Sequence, residues 1–152
     1  MVQGRWFPMG ADLSEPLALR MRVFGRERDE RDDLAQQVVV YESGQPVGAA
    51  RLWWQDGAFW LGDVGVLAEK RGRGYGDLLV RLGLFKALTH QAREIRLITP
   101  AETEGFFAKY GFTPEGNGRM AILAQDVRLS HCGGNCADCA HPSEECVPKA
   151  LR

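Results

Sequence analysis

The sequence predicts an α/β domain, a mixed β-sheet flanked by helices in three layers over residues 1–128, with a Cys-rich appendix over 129–152. Three observations carry this reading. Strand-like runs come first as a meander punctuated by Asp56-Gly57, the strongest hairpin signal in the chain. Strand-like and helix-like periods then alternate, which calls for a sheet with helices packed on it. Finally, residues 1–131 contain no cysteine, and all four cysteines fall between Cys132 and Cys146. The length of 152 residues, 45% hydrophobic and 26% charged, suits one domain with a core of its own and excludes a disordered chain.

The elements follow in order. Leu13, Leu17, Met21 and Phe24 recur at spacings of four, four and three, with Ser14 and Pro16 near the start and Gly25 just past the end, so an amphipathic helix is expected. Arg26 to Asp33 is a run of mixed charge, expected as a solvated loop or frayed helix end. Gln37–Glu42 reads as a strand, Ser43-Gly44-Gln45-Pro46 as a turn, and Val47–Trp53 as a second strand. Ala58–Val66 should pair with it antiparallel across Asp56-Gly57. After a glycine-rich loop, Leu78, Leu82, Phe85, Leu88 and Ala92 mark a helix of about four turns. Ile95–Thr99 is a short buried strand, Glu104–Tyr110 a helix ended by Gly111, and Phe112 with Arg119–Leu123 supplies the last strands.

Charge and hydropathy narrow the function. Nineteen Lys and Arg against twenty Asp and Glu give a net charge of −1, without the basic excess that binding to nucleic acid normally requires. No apolar run approaches the length of a membrane span, and the N-terminus lacks the pattern of a signal peptide, so the expectation is a cytoplasmic protein without nucleic-acid or membrane partners. Trp53, Trp54 and Trp60 offer an apolar patch that could serve a homodimer.

The chemistry concentrates in the loop. A strand ends at Val66, Arg71-Gly72-Arg73-Gly74-Tyr75-Gly76 follows, and a helix begins with its first amides unpaired. Such amides, with the helix dipole behind them, form an anion site, and glycine lets the backbone approach a phosphate closely. Lys70, Arg71 and Arg73 add positive charge. The segment lacks the Lys-Ser or Lys-Thr of a Walker loop, and its Gly-x-Gly-x-Gly spacing and late position do not suit a dinucleotide fold.

Arg71–Gly76 resembles the Arg/Gln-x-x-Gly-x-Gly/Ala signature of the GNAT superfamily of acyl-CoA-dependent N-acyltransferases. Phe106-Phe107-Ala108-Lys109-Tyr110-Gly111-Phe112 is similar to a second block of that family. Leu17, Arg20, Val23 and Phe24, with Val47–Leu52, are similar to its N-terminal half, so the resemblance spans roughly residues 10–124. It implies that acetyl-CoA is the cosubstrate and a small-molecule or protein amine the acceptor. The amides of Arg71, Gly72, Arg73, Gly74, Tyr75 and Gly76 would cradle the pyrophosphate. Val64 and Val66 would hold the pantetheine arm and the thioester carbonyl through the strand backbone, where Gly62 and Gly65 mark either a close ligand approach or tight packing on a helix. The chain departs from the family at Phe107, which stands where a tyrosine usually protonates the leaving thiolate. Tyr110, about one helical turn on, is the expected substitute acid, or else a core residue. Asp63, the only carboxylate in the central strand, is the candidate base, with an ion pair to Arg51 as its alternative role. The acceptor pocket is expected from loops around 25–35 and 113–119. A non-catalytic CoA-binding or metal- or redox-sensing module is the competing reading.

In the appendix, Cys132, Cys136, Cys139 and Cys146 follow the spacing Cys-x3-Cys-x2-Cys-x6-Cys. Short steps of this kind let one turn present two thiolates to one metal, so zinc is expected first and an iron–sulfur cluster second, with disulfides or free thiols as the remaining option.

Overall fold

The computed structural model describes residues 1–129; the four cysteines, and with them the expected metal site, lie outside the described residues. A seven-stranded sheet runs β1-β2-β3-β4-β5-β7-β6 in space. Strands β1 (Val2–Phe7), β2 (Ala35–Glu42), β3 (Gln45–Gln55) and β4 (Ala58–Val66) form an antiparallel meander. Strand β5 (Glu94–Ile98) joins β4 in parallel, and β7 (Arg119–Leu123) then lies antiparallel between β5 and β6 (Thr113–Gly116). The expected mixed sheet is therefore present. β1 was not among the expected elements: four of its six residues, Val2 to Arg5, are exposed, so its sequence carries little apolar alternation.

The middle strands are buried from both sides. On β2, Val38 and Val40 join a cluster with Leu79, Val80 and Leu84 of helix α2 (Tyr75–Thr89), whereas Val39 joins Leu13 and Leu19 at helix α1 (Ser14–Phe24). Successive strand side chains point to opposite faces, so the unbroken run Val38-Val39-Val40 serves two helical layers at once. The turns fit their sequences: Ser43, Gly44, Asp56 and Gly57 all have positive φ, the conformation a two-residue hairpin turn needs.

The end of α1 follows its expected glycine signal, but α2 stops at Thr89 and the third helix spans only Glu104–Ala108, short of Gly111, and the buried faces also differ from the expectation. Gly25 caps α1 in the left-handed region, its N–H donating to the Met21 carbonyl at 2.8 Å. The buried positions of α1 are Pro16, Leu19 and Arg20, while Met21 and Phe24 are exposed. In α2 the buried set is Tyr75, Leu79, Val80, Arg81, Gly83, Leu84 and Ala87, and Phe85 is 62% exposed. The cause in α1 is electrostatic. Arg20 turns inward to Asp32, donating to its two oxygens at 2.7 and 2.5 Å, and so rotates the apolar stripe.

Asp32 also corrects the expectation of a solvated loop. Residues Glu30–Asp33 form a 3-10 turn closed by a capping box, in which the Arg31 N–H donates to Asp29 and the Asp29 N–H to Asp32. Asp32 is 1% exposed and also accepts from Gln37 at 2.8 Å. The tryptophan patch is likewise smaller than expected. Trp53 and Trp60 are buried and stacked on one another, leaving Trp54 as the exposed member of the three.

Candidate active site

The site begins where the sheet opens. β4 pairs with β5 only at Phe59, Trp60 and Leu61, yet remains paired with β3 as far as Val66. Between the pairs Ala49–Gly65 and Arg51–Gly62 the register shifts, so Asp63 and Val64 stand opposite Ala50 alone. This is a β-bulge, and Asp63 sits in it with φ of 48°, a conformation that costs a non-glycine residue energy. Past Leu61, the β4 edge that faced β5 borders a cleft of about 1240 Å³, walled on the other side by Leu97 to Pro100, Thr103, Phe106, Phe107 and Lys109.

The glycine loop closes one end of this cleft. Gly72 and Gly74 have φ of 79° and 85°, and a Cβ built at either meets nothing within 4 Å, so both face open space. Gly74 precedes α2, whose Leu78 N–H makes a helical bond back to the Gly74 carbonyl at 3.0 Å. The amides of Tyr75, Gly76 and Asp77 therefore belong to the helix start, which has no carbonyls of its own to offer them. Arg71, Gly72, Gly74 and Gly76 line the cleft, as do Val64 and Val66. Arg71 donates from Nε to the Val66 carbonyl at 3.2 Å, tying loop to strand.

The other basic residues of the loop are placed differently from the expectation. Lys70 pairs with Glu42 at 3.0 Å, Arg73 reaches the same carboxylate at 3.1 Å, and the Tyr75 hydroxyl donates to it. These three bonds, Tyr75 first, hold the Glu42 carboxyl down at about 2, and the same Tyr75–Glu42 bond raises the tyrosine. Glu42 thus offsets the charge of Lys70 and Arg73, leaving Arg71 as the loop's basic side chain without a carboxylate partner among the described residues. No local signal links Glu42 to the loop; β2 brings it there.

Asp63 lines the cleft beside the bulge, its side chain 10% exposed. Arg26 bonds its Oδ1 at 2.5 Å, Arg51 lies 3.1 Å from Oδ2, and Arg20 lies 3.8 Å from it. The ion pair with Arg51 anticipated for this residue is present. Behind it, Arg51 grips Asp29 with both terminal nitrogens at 2.7 and 2.9 Å. Burial by itself would raise the Asp32 carboxyl, but bonds from Arg20, the Asp29 amide and Gln37 outweigh it and hold Asp32 well below the usual range.

Tyr110 is fully buried and lies outside the cleft lining. Its hydroxyl donates to Asp77, and burial together with that bond pushes the phenol far above its ordinary value. Asp77 does line the cleft and is also held by Arg81 at 2.8 Å. Tyr110 touches the cleft lining through Asp77 and through Phe106, whose ring it meets edge-on at 5.9 Å. Phe107 is in the cleft wall, packed edge-on to Phe106 and Phe112. The lining holds no tyrosine, histidine or cysteine among the described residues. Its hydroxyls are Thr99 and Thr103, which share a hydrogen bond, and Lys109 lies 4.7 Å over the Phe106 ring. Asp77, Thr99 and Thr103 had no distinguishing motif in the sequence, and Lys109 lay inside the second family-like block without a role of its own.

Of the two loops expected to build an acceptor pocket, the first contributes Arg26 and Arg31, whereas residues 113–119 do not reach the lining. Gly65 resolves in favour of packing: a Cβ there would stand 2.7 Å from Phe24 and Val23 of α1. Gly62 likewise lies under the Trp53 ring, 2.8 Å from a built Cβ.

Comparison with known proteins agrees with this geometry. The family model described as an acetyltransferase (GNAT) domain matches residues 33–114. The Bacillus subtilis (strain 168) protein named uncharacterized N-acetyltransferase YjcF is 27% identical over 108 residues, covering 66% of this chain and 77% of its own. An acyl-CoA N-acyltransferase from Pseudomonas aeruginosa superposes with a TM-score of 0.68 at 21% identity, over 80% of this chain and 97% of that one. A GNAT family acetyltransferase from Brucella melitensis, solved in complex with acetyl-CoA, superposes with a TM-score of 0.63 at 20% identity, over 81% and 88%. At these identities the solved structures show a shared fold.

Proposed function

The chain belongs to the GNAT acetyltransferase domain family, and from that premise we propose that it transfers an acetyl group from acetyl-CoA to a primary amine of a small molecule or protein. The observation that carries the reading is the opening of the sheet beside the glycine loop, where the free edge of β4 and the start of α2 border one continuous cleft. In this reading the amides from Arg71 to Gly76 take the pyrophosphate of acetyl-CoA, the ligand with which the similar fold from Brucella melitensis was solved. Val64 and Val66 offer backbone groups to the pantetheine arm, and a backbone amide near the bulge polarises the thioester carbonyl. The amine enters from the Asp63 end.

Holding amine and thioester in one cleft turns a bimolecular encounter into an effectively intramolecular one. An alkyl ammonium near pKa 10 must lose a proton before attack, and Asp63 or a water it orders receives it. For the departing thiolate, the lining offers Thr99, Thr103, Lys109 and solvent rather than a tyrosine. Tyr110 is then a positioning residue that holds Asp77 at the start of α2. Titration calorimetry with acetyl-CoA, followed by thiol release over a panel of amines, tests this. Binding with amine-dependent release of CoA is expected; binding without turnover on any amine would point to the non-catalytic module. The spacing of Cys132, Cys136, Cys139 and Cys146 supports a separate proposal, a zinc site in the appendix, which rests on the sequence alone.

A further inference from the structure

The acceptor end of the cleft carries more positive charge than a simple amine would want. Arg26, Arg31 and Arg51 line it with Asp63, and Asp29 and Asp32 stand behind Arg51, although the whole chain is net negative. Arg51 is already committed, 3% exposed and gripped by Asp29. Arg26 is 60% exposed, and its carboxylate partner is Asp63. Arg31 is exposed, lies 5.1 Å over the Trp53 ring, and has no carboxylate within ion-pair distance among the described residues. Its backbone is nevertheless held, because it belongs to the 3-10 turn that Asp29 and Asp32 pin to Arg51 and Arg20. Asp63 has a buried Oδ2 with no hydrogen-bond donor, and its backbone is held in the left-handed region at the bulge.

We propose that the acceptor is an amine that also bears a carboxylate, as an amino acid does, with its ammonium on Asp63 and its carboxylate between Arg26 and Arg31. This rests on the acetyl-transfer reading above. The Arg26–Asp63 pair is the mirror of such a zwitterion. An arriving ammonium exchanges with Arg26 at Asp63, and the released guanidinium pairs with the carboxylate that arrives alongside. The exchange is cheap because an ion pair with one largely exposed member is weak. Arginine suits the task because its planar fork meets a carboxylate with two parallel bonds. Arg31, with its guanidinium uncommitted and its backbone fixed, supplies the second cation without first breaking a pair.

The test uses the full chain and matched acceptors: alanine with ethylamine, phenylalanine with 2-phenylethylamine, and lysine with 1,5-diaminopentane. Acetyl-CoA affinity is measured by calorimetry, and turnover by thiol release. In each pair the carboxylated member should have a kcat/KM about tenfold higher or more, the usual effect of a charge-assisted hydrogen bond. R31Q and R26Q should each lower that ratio toward one by weakening the carboxylated member, and R31E should lower it further, while the calorimetric affinity for acetyl-CoA shows that the donor site is intact. Equal rates within pairs, or a preference for the decarboxylated amines, would overturn the proposal and leave the acetyl-transfer reading standing. Acetyl-CoA binding with no turnover of any carboxylated amine would also overturn it. Failure to bind acetyl-CoA at all would instead remove the acetyl-transfer reading on which it rests.

Discussion

Replacing Gly74 by aspartate separates the anion site from the fold around it. Gly74 has φ of 85° and stands immediately before α2, with nothing within 4 Å of a built Cβ. The cost to folding is therefore backbone strain alone, about 1–2 kcal/mol for an L residue in the left-handed region. For a domain of this size that lowers Tm by roughly 2–8 °C, and CD spectra should remain native. Binding suffers more. A carboxylate about 4 Å from a phosphate charge is repelled by about 1 kcal/mol in bulk water and about 4 kcal/mol at the effective dielectric of a protein surface. Acetyl-CoA affinity should then fall by about 5- to 1000-fold beyond any steric effect. Asparagine at the same position is the control, since it has the same shape, tolerates the same φ and lacks the charge. Calorimetry of Gly74→Asp against Gly74→Asn at low salt reads the electrostatic part, and raising the salt should shrink the gap as the charges are screened. Equal affinities for the two variants at low salt, with both folded, would refute the assignment of this loop to the pyrophosphate.

Tyr110→Phe should leave kcat within a fewfold of the parent and cost about 1–2 kcal/mol of stability by urea unfolding, because Asp77 loses a donor in the core; a fall in kcat of about 10²-fold or more would make Tyr110 the acid itself. Acid should destabilise the fold below about pH 4.5. Asp32 and Glu42 both have lowered values when folded, so the unfolded chain binds more protons, and the stability present above their ordinary values of 3.8 and 4.5 is lost as pH falls through the folded ones. Fluorescence-monitored denaturation from pH 7 to 2 checks this, and Asp32→Asn should flatten the profile while lowering stability at neutral pH by about 3–5 kcal/mol as Arg20 loses its buried partner. Elemental analysis of protein purified without added metal should give about one zinc per chain, and Cys139→Ser should lose it with acetyl-CoA binding retained, since four thiolates share one tetrahedral ion; zinc-free native protein would remove the metal proposal.

What the sequence determined by itself is what depends on neighbours along the chain. Asp56-Gly57 requires positive φ and so closes a hairpin wherever it occurs, and Gly25 and Gly74 bound their helices for the same backbone reason. A strand followed by glycines and a helix start leaves helix-start amides unpaired whatever surrounds them, so the sequence alone marks the Arg71–Gly76 loop as a candidate anion site. Apart from the Asp63–Arg51 pair, which joins neighbouring antiparallel strands, the partners of charged side chains were not legible, because a carboxylate finds its partner through space. Glu42 meets Lys70 and Arg73 only because β2 ends beside the loop, and Asp32 is buried only because Arg20 turns inward from α1. Tyr110 shows the same limit. Its spacing from Phe107 places it one turn along, but packing against α2 decides that its hydroxyl meets Asp77 and not the cleft. The cleft itself is a tertiary fact, since β4 and β5 are separated by a whole helix and their divergence past Leu61 has no local signature.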